Sequence, residues 1–430
     1  MNRWPKGGLK RGTWRGQPAQ LAHLRAFYIL RTGKQSGSTR QQTTWDEPKS
    51  APNSRKPRFA GIGPLYLQLA ISTPLPLAPV RNSQTDMVGN PYDLNSVLAA
   101  YPADCQPIGP APRQLVGGFS GSQIWRLEAV CGPLCLRLYA AEHPTADRLR
   151  WIHWVLLRAV DQGLTFVPLP IRTRSGERFI EQAGRLWELS PWLAGEPIQL
   201  RFAHSAADPQ LIKSAMATLA RFHQAVAGHS RCGYCLGILE RLRQLGEWQS
   251  GGAGRLKLQI DADRARWPEL AERSPKVLSQ FNDLAPQVVD SAKKVIGFRV
   301  PIHPCIRDIH RDHVLFQEDK VTGLIDFGAM DNDNVSCDIA RLLRSMVGDV
   351  NSFWPDGLTA FERIYPLSDE ERLLVRAYDE SGVLLSGINW LKWVFIENRQ
   401  FDDRPGVLKR FDEITCRLAN LVSRGSDIAV

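Results

Sequence analysis

Between Arg307 and Ala340 the chain sets three aspartates in a fixed rhythm around two short apolar runs. Asp308 lies in a polar stretch, Arg307-Asp308-Ile309-His310-Arg311-Asp312-His313, just ahead of Val314-Leu315-Phe316. Asp326 ends the next apolar run, Gly323-Leu324-Ile325, and is followed by Phe327-Gly328. Asp338 opens Asp338-Ile339-Ala340, where a helical pattern begins. The apolar runs read as two short strands carried by a loop. A carboxylate directly after Gly323-Leu324-Ile325 is costly to bury unpaired, which supports a metal partner for Asp326. One carboxylate can then receive a proton while the other holds a metal. Phosphoryl transfer needs both, because positioning and charge neutralisation supply most of its catalysis.

The segments on either side differ in pattern. From about residue 110 the chain reads as β. Leu115-Val116 precede the glycine-containing run Gly117-Gly118-Phe119-Ser120-Gly121-Ser122, alternation resumes over 123–129, and Cys131-Gly132-Pro133 makes a turn. Leu134 to Tyr139 alternate, with Leu134, Leu136 and Leu138 on one face and Arg137 on the other. A helix is expected over 146–160 with Thr145 as N-cap, its stripe formed by Leu149, Ile152, His153, Leu156, Leu157 and Val160. Short strands are expected near 171–173, 178–181 and 185–189. Beyond Pro191 the pattern turns helical, over 211–227, 238–250, 260–272, 276–296, 338–347, 369–386 and 407–423. Ser368 and Glu371 have the spacing of a capping box.

The 307–340 segment resembles the catalytic core of the aminoglycoside phosphotransferase and choline kinase-like family, a relative of the protein kinases. That family writes His-Gly-Asp-Leu-His-x-x-Asn, then Ile-Asp-Phe or Ile-Asp-Trp, then Asp-Leu-Ala. Here the three read Ile306-Arg307-Asp308-Ile309-His310-Arg311-Asp312-His313, Ile325-Asp326-Phe327 and Asp338-Ile339-Ala340. Ile306 replaces the first histidine, and His313 replaces the metal-binding asparagine. The resemblance covers about 115–395. It implies an α+β, protein-kinase-like two-lobed fold: a β-rich N-terminal lobe over 87–190 and a mainly helical C-terminal lobe over 191–430.

The resemblance also implies roles. Asp308 becomes the catalytic base for an acceptor hydroxyl, and His310 matches the second histidine of the motif. Asp326 becomes the Mg²⁺ ligand. Arg137 takes the place of the phosphate-pairing lysine, keeping the charge and adding a bidentate fork. Its usual helix-borne glutamate partner is not evident, and His153 or Asp147 is nearest in register. Gly117, Gly118, Ser120, Gly121 and Ser122 stand where a phosphate-covering loop is placed, since glycines allow close approach and free N–H groups bind phosphate. Glu188, Leu189 and Ser190 match the hinge whose backbone receives adenine. Asp338 caps backbone and pins the loop, and His223 packs structurally. Three readings of His313 stand open. It ligates a second metal, with Mn²⁺ favoured over Mg²⁺ by imidazole, or it bonds Asp308 or phosphate, or it marks a disabled site.

These assignments lead to an ATP-dependent phosphotransferase acting on a small-molecule hydroxyl. Tyr378-Asp379-Glu380 and Ile388 to Trp393 are expected to wall the acceptor pocket, acidic residues suiting a cation and aromatics a sugar or choline-like group. The alternative reading is a nucleotide-binding pseudo-kinase with a regulatory role, motivated by Ile306 and His313.

The net charge of +10 suggests nucleic acid until it is located: residues 1–60 carry 13 Lys+Arg against 2 Asp+Glu, and the other 370 carry 41 against 42. Polyanion binding is therefore expected only non-specifically, through this basic tail. Residues 1–86 have a disorder-prone composition. Met87, where a globular pattern begins, is a candidate start; native N-terminal sequence reading upstream of it would refute that. Eight cysteines are too few for a disulfide scaffold, and Cys232-Gly233-Tyr234-Cys235 is a lone pair without zinc partners. The most apolar stretch, 59–80, is broken by Pro64, Pro74, Pro76 and Pro79, so no membrane span is expected. A cytoplasmic location follows as the default.

Overall fold

The computed structural model describes residues 92–115, 121–141, 143–200, 205–348, 350–401 and 403–423. All belong to the second of two compact units, Thr85–Val430. After a short helix α1 (Leu94–Leu98), five antiparallel strands follow: β1 (Arg113–Leu115), β2 (Gln123–Ala129), β3 (Gly132–Leu138), β4 (Ile180–Gln182) and β5 (Arg185–Pro191). Their spatial order is β1-β2-β3-β5-β4. The β2–β3 hairpin turns at Gly132, whose φ of +109° disfavours a side chain. Alternation then does what the sequence demands. Trp125, Leu127, Leu134, Leu136, Leu138, Trp187 and Leu189 bury one face, where Trp125 and Trp187 stack at 5.5 Å. Arg137 is left on the other face, toward the cleft.

Helix α2 (Ala146–Asp161) links β3 to β4. Thr145 accepts from the Arg148 N–H at 3.3 Å, the expected N-cap. Leu149, Ile152, His153, Val155, Leu156 and Ala159 are its buried residues. The strand expected at 171–173 is irregular, although the Ile171 N–H still reaches the Leu189 carbonyl at 2.8 Å. Pro168 and Pro170 lack the amide donors a ladder requires.

The remainder is helical around two small sheets. In order come β6 (Glu196–Pro197), α3 (Pro209–Val226), β7 (Arg231–Tyr234), α4 (Leu236–Glu247), α5 (Ala253–Ala262), α6 (Pro268–Val295) and β8 (Arg299–Cys305). Then follow β9 (Val314–Gln317), β10 (Lys320–Leu324), β11 (Asp331–Asp333), α7 (Ser336–Val347), α8 (Trp354–Glu362), α9 (Asp369–Phe395) and α10 (Arg404–Ser423). Strands pair as β10-β9-β6 and β11-β8-β7.

Two helices depart from the sequence expectation. A single α6 runs through Pro275 and Pro286 where two helices were expected, and the break falls earlier, before Pro268. Proline suits a first helical turn. Inside a helix each proline costs about 3 kcal/mol. Here the stripe of Leu270, Val277, Phe281, Leu284 and Val288, buried with α9 and α10, offsets that cost. Helix α9 carries the Ser368–Glu371 capping box and extends to Phe395 rather than 386, because Ile388, Leu391, Val394 and Phe395 continue its buried face. Among the described residues, no helix is long and apolar enough to cross a membrane.

Candidate active site

The loop between β8 and β9 is held from below. Both oxygens of the fully buried Asp338, at the start of α7, accept backbone amides: Ile306 N–H at 2.7 Å and Arg307 N–H at 2.6 Å. Charge-assisted bonds of this kind are about twice as strong as neutral ones. They fix Arg307 in the left-handed region, φ +65°, and turn Asp308 outward. His223 Nε2 lies 3.2 Å from Asp338, and its Nδ1 meets His303 Nε2 at 3.0 Å, all with essentially no exposure. Burial and the neighbouring His223 push His303 down to about 3, so it is neutral. Ile306, standing where the motif has histidine, is buried in the core.

Asp308 and Asp326 are both partly exposed, and each is met by an arginine. Asp326 follows β10 with φ +64°, and its Oδ1 receives Arg137 Nη1 at 2.7 Å. Burial raises the Asp326 pKa, but Arg137 and His313 outweigh it and hold the carboxyl at about 2. Asp308 Oδ1 is in contact with Arg341 Nη2 from α7, in a half-exposed pair.

His313 lies between the Asp308 backbone and the Asp326 carboxylate. Its Nδ1 is 2.9 Å from the Asp308 carbonyl oxygen, and its Nε2 is 3.6 Å from Asp326 Oδ2. A carbonyl only accepts, so Nδ1 carries the proton and Nε2 a lone pair. Burial and then the adjacent His310 lower the His313 pKa to about 4, which keeps the ring neutral. Two lone-pair atoms thus confront each other at 3.6 Å. That donor set fits a shared cation.

Other expected residues have different roles. The Nδ1 of His310 accepts from Asp312 N–H at 3.3 Å, and its ring lies 3.8 Å from that of His313. It orients the 311–313 turn. Glu188, Leu189 and Ser190 lie within β5, paired to Arg137, Leu136 and Cys135. The Leu189 carbonyl is taken by Ile171, and the Trp192 N–H goes to Pro133 at 2.9 Å. Past Trp192, Thr322 Oγ1 donates to the Ala194 carbonyl at 2.5 Å, and Gly195 follows with φ +107°, where crowding by Thr322 and Phe316 excludes a side chain.

Glu188 has its own task, accepting from Tyr139 at 3.0 Å and pairing with His153 Nε2 at 2.6 Å. Neither His153 nor Asp147 pairs with Arg137. Instead α2 reaches the C-terminal lobe through Arg148, 2.9 Å from Asp331, which Arg307 shares at 3.2 Å. Gly117, Gly118 and Ser120 lie outside the described residues. Gly121, exposed with φ +73°, and the half-buried Ser122 lead into β2.

The expected acceptor wall is also corrected. Asp379 is buried against Arg344, with one contact of 2.7 Å, and Glu380 receives Arg376 at 2.7 Å. Tyr378 donates to Asp333 at 2.8 Å, while Trp390 and Trp393 pack edge-on at 5.1 Å in the second core. Cys235 of the lone C-x-x-C contacts Asp333 and Tyr378, and Cys232 is exposed. Arg341, Arg148 and Asp331 were missed in the sequence. Only Arg341 left a trace: it follows Asp338 by three, on the helix side nearest the loop.

A profile of the phosphotransferase enzyme family matches residues 112–374. The chain belongs to this family. No curated protein matches it. Solved structures of phosphotransferases share the fold at low identity. Spectinomycin phosphotransferase in complex with ADP and spectinomycin is 16% identical with a TM-score of 0.50, covering 72% of this chain and 93% of that one. Amicoumacin kinase bound to AMP-PNP and Ca²⁺ is 14% identical with a TM-score of 0.50, covering 76% and 94%. An aminoglycoside phosphotransferase from Alicyclobacillus acidocaldarius is 16% identical with a TM-score of 0.46, covering 80% and 97%. This phosphotransferase has the kinase-like arrangement of an antiparallel sheet lobe and a helical lobe.

Proposed function

We propose that the protein transfers the γ-phosphoryl group of ATP to a hydroxyl of a small molecule. The observation that carries this is the Asp338-pinned loop, which presents Asp308 beside an Asp326 already tied to Arg137 of the sheet. In the reaction, the acceptor oxygen bonds to the γ-phosphorus as the bond to the β–γ bridging oxygen breaks. ADP leaves, and the hydroxyl proton passes to Asp308. A positioned base of this kind is worth about 10²–10⁴-fold.

Asp326 and His313 would hold a divalent cation, whose charge neutralises the phosphates. A carboxylate with an imidazole suits Mn²⁺ better than Mg²⁺. Arg137 would exchange part of its contact with Asp326 for phosphate oxygens, and backbone beyond Trp192 would receive the base. The nucleotides bound by the spectinomycin and amicoumacin enzymes support this reading.

The second reading, a nucleotide-binding protein without transfer, is favoured by one observation: Arg341 occupies the base. Nucleotide-induced melting shifts combined with ATP turnover separate the two. Turnover abolished in Asp308→Asn supports the enzyme; binding with turnover absent in both proteins supports the alternative.

A further inference from the structure

On its α7 side Asp308 meets a cation, Arg341. The acidic groups that would attract a polyamine are already engaged: Asp379 by Arg344, Glu380 by Arg376, and Asp331 by Arg148 and Arg307. Arg341 remains half exposed, its contact being Asp308 itself. On the adjoining α4, Arg241 has no carboxylate within salt-bridge distance among the described residues. Its Nη1 is spent on the Tyr378 carbonyl and on Ser381 at 3.1 Å, and its guanidinium lies 4.7 Å over the Tyr378 ring. Burial lowers its pKa, and Arg341 is among the charges that act on it. Two guanidiniums therefore share one region; Asp333, which also acts on Arg241, is engaged by Tyr378 and Cys235, and the carboxylate paired with Arg341 is the one the reaction needs free.

We propose that the acceptor carries an oxyanion, a carboxylate, sulfate or phosphate, which Arg341 receives in exchange for Asp308. This rests on the phosphotransferase reading above. A carboxylate bonded to Arg341 offers its lone pairs to the guanidinium rather than to a hydroxyl proton. An incoming oxyanion gives the guanidinium an equivalent bidentate partner. Asp308 is then released beside the acceptor hydroxyl. Phosphoryl transfer itself is unchanged: the proton still goes to Asp308 and ADP still leaves. The consequence is specificity, because a polycationic acceptor offers Arg341 no partner in place of Asp308.

The test uses the full chain loaded with AMP-PNP and Mn²⁺, so that the phosphate subsites are filled. Sulfate, glycerate, glycerol, choline and spermidine are titrated calorimetrically against wild type, Arg341→Met and Arg341→Lys. An AMP-PNP-induced melting shift in each protein establishes that it is folded. Sulfate and glycerate are expected to bind at least tenfold more tightly than glycerol, to lose at least tenfold in Arg341→Met, and to be partly retained in Arg341→Lys. Choline or spermidine binding more tightly than sulfate, no sulfate binding to wild type, or undiminished anion affinity in Arg341→Met would each overturn the proposal. Failure to bind AMP-PNP at all would instead sink the phosphotransferase reading.

Discussion

The catalytic loop has an underside and a mouth, and the two are built on different physics. Beneath it, Asp338, His223, His303 and Ile306 are buried, and both Asp338 oxygens are committed to backbone amides. At the mouth, Asp308 and Asp326 are held by arginines that a ligand can take over, and the two pairs differ in exposure. Arg137 and Asp326 have 14% and 30% of their side chains accessible, against 43% and 42% for Arg341 and Asp308. A buried network fixes position because an unmade bond there costs its full desolvation penalty. An exposed ion pair contributes little and exchanges easily. The underside supplies rigidity and the mouth supplies replaceable charge.

The largest effect expected is on chemistry alone. Asp308→Asn should lower turnover by about 10²–10⁴-fold while leaving the urea midpoint nearly unchanged, measured by ATP consumption and by unfolding. A matching loss of stability would show that the mouth also carries the fold.

Next comes the underside. Asp338→Ala leaves two buried amides unpaired, for a stability loss of about 2–5 kcal/mol in urea unfolding. His303 beneath the loop gives a pH signature. His303 is held at about 3, below its ordinary value of 6.5. The folded state therefore binds fewer protons than the unfolded chain. Its stabilisation is complete above pH 6.5 and is lost as pH falls toward 3, on the order of 1 kcal/mol per pH unit. His303→Gln should flatten that slope in urea midpoints taken from pH 7 to pH 4.

The smallest and most discriminating effect compares the two arginines. Arg137→Met should cost about 1–3 kcal/mol, and Arg341→Met about 0–1 kcal/mol, by the same unfolding measurement. Equal losses would erase the distinction between a structural and an exchangeable pair.

The aspartates of both regions were legible in the sequence, and the partners that meet them were not. Asp308, Asp326 and Asp338 announce themselves because each ends or opens an apolar run, and helix caps at Thr145 and Ser368 follow local rules. What the sequence hid depended on register and on distant partners. Glu188 to Ser190 read as a hinge, and the ladder with β3 that sets them inside the sheet was not legible in their own residues. Asp379 and Glu380 read as an acidic wall, yet Arg344 and Arg376 neutralise them within the helical lobe. No spacing rule reveals that Arg341 rests on Asp308, because that contact joins a helix face to a loop only after Asp338 has set the loop's height.

The most direct test of the central claim is a crystal structure of the full chain with AMP-PNP and Mn²⁺, with the metal located by anomalous scattering. The account predicts a manganese peak in bonding contact with both Asp326 and His313 Nε2, with the γ-phosphate facing Asp308. A nucleotide whose γ-phosphate faces neither aspartate, or manganese bound away from Asp326, would contradict it.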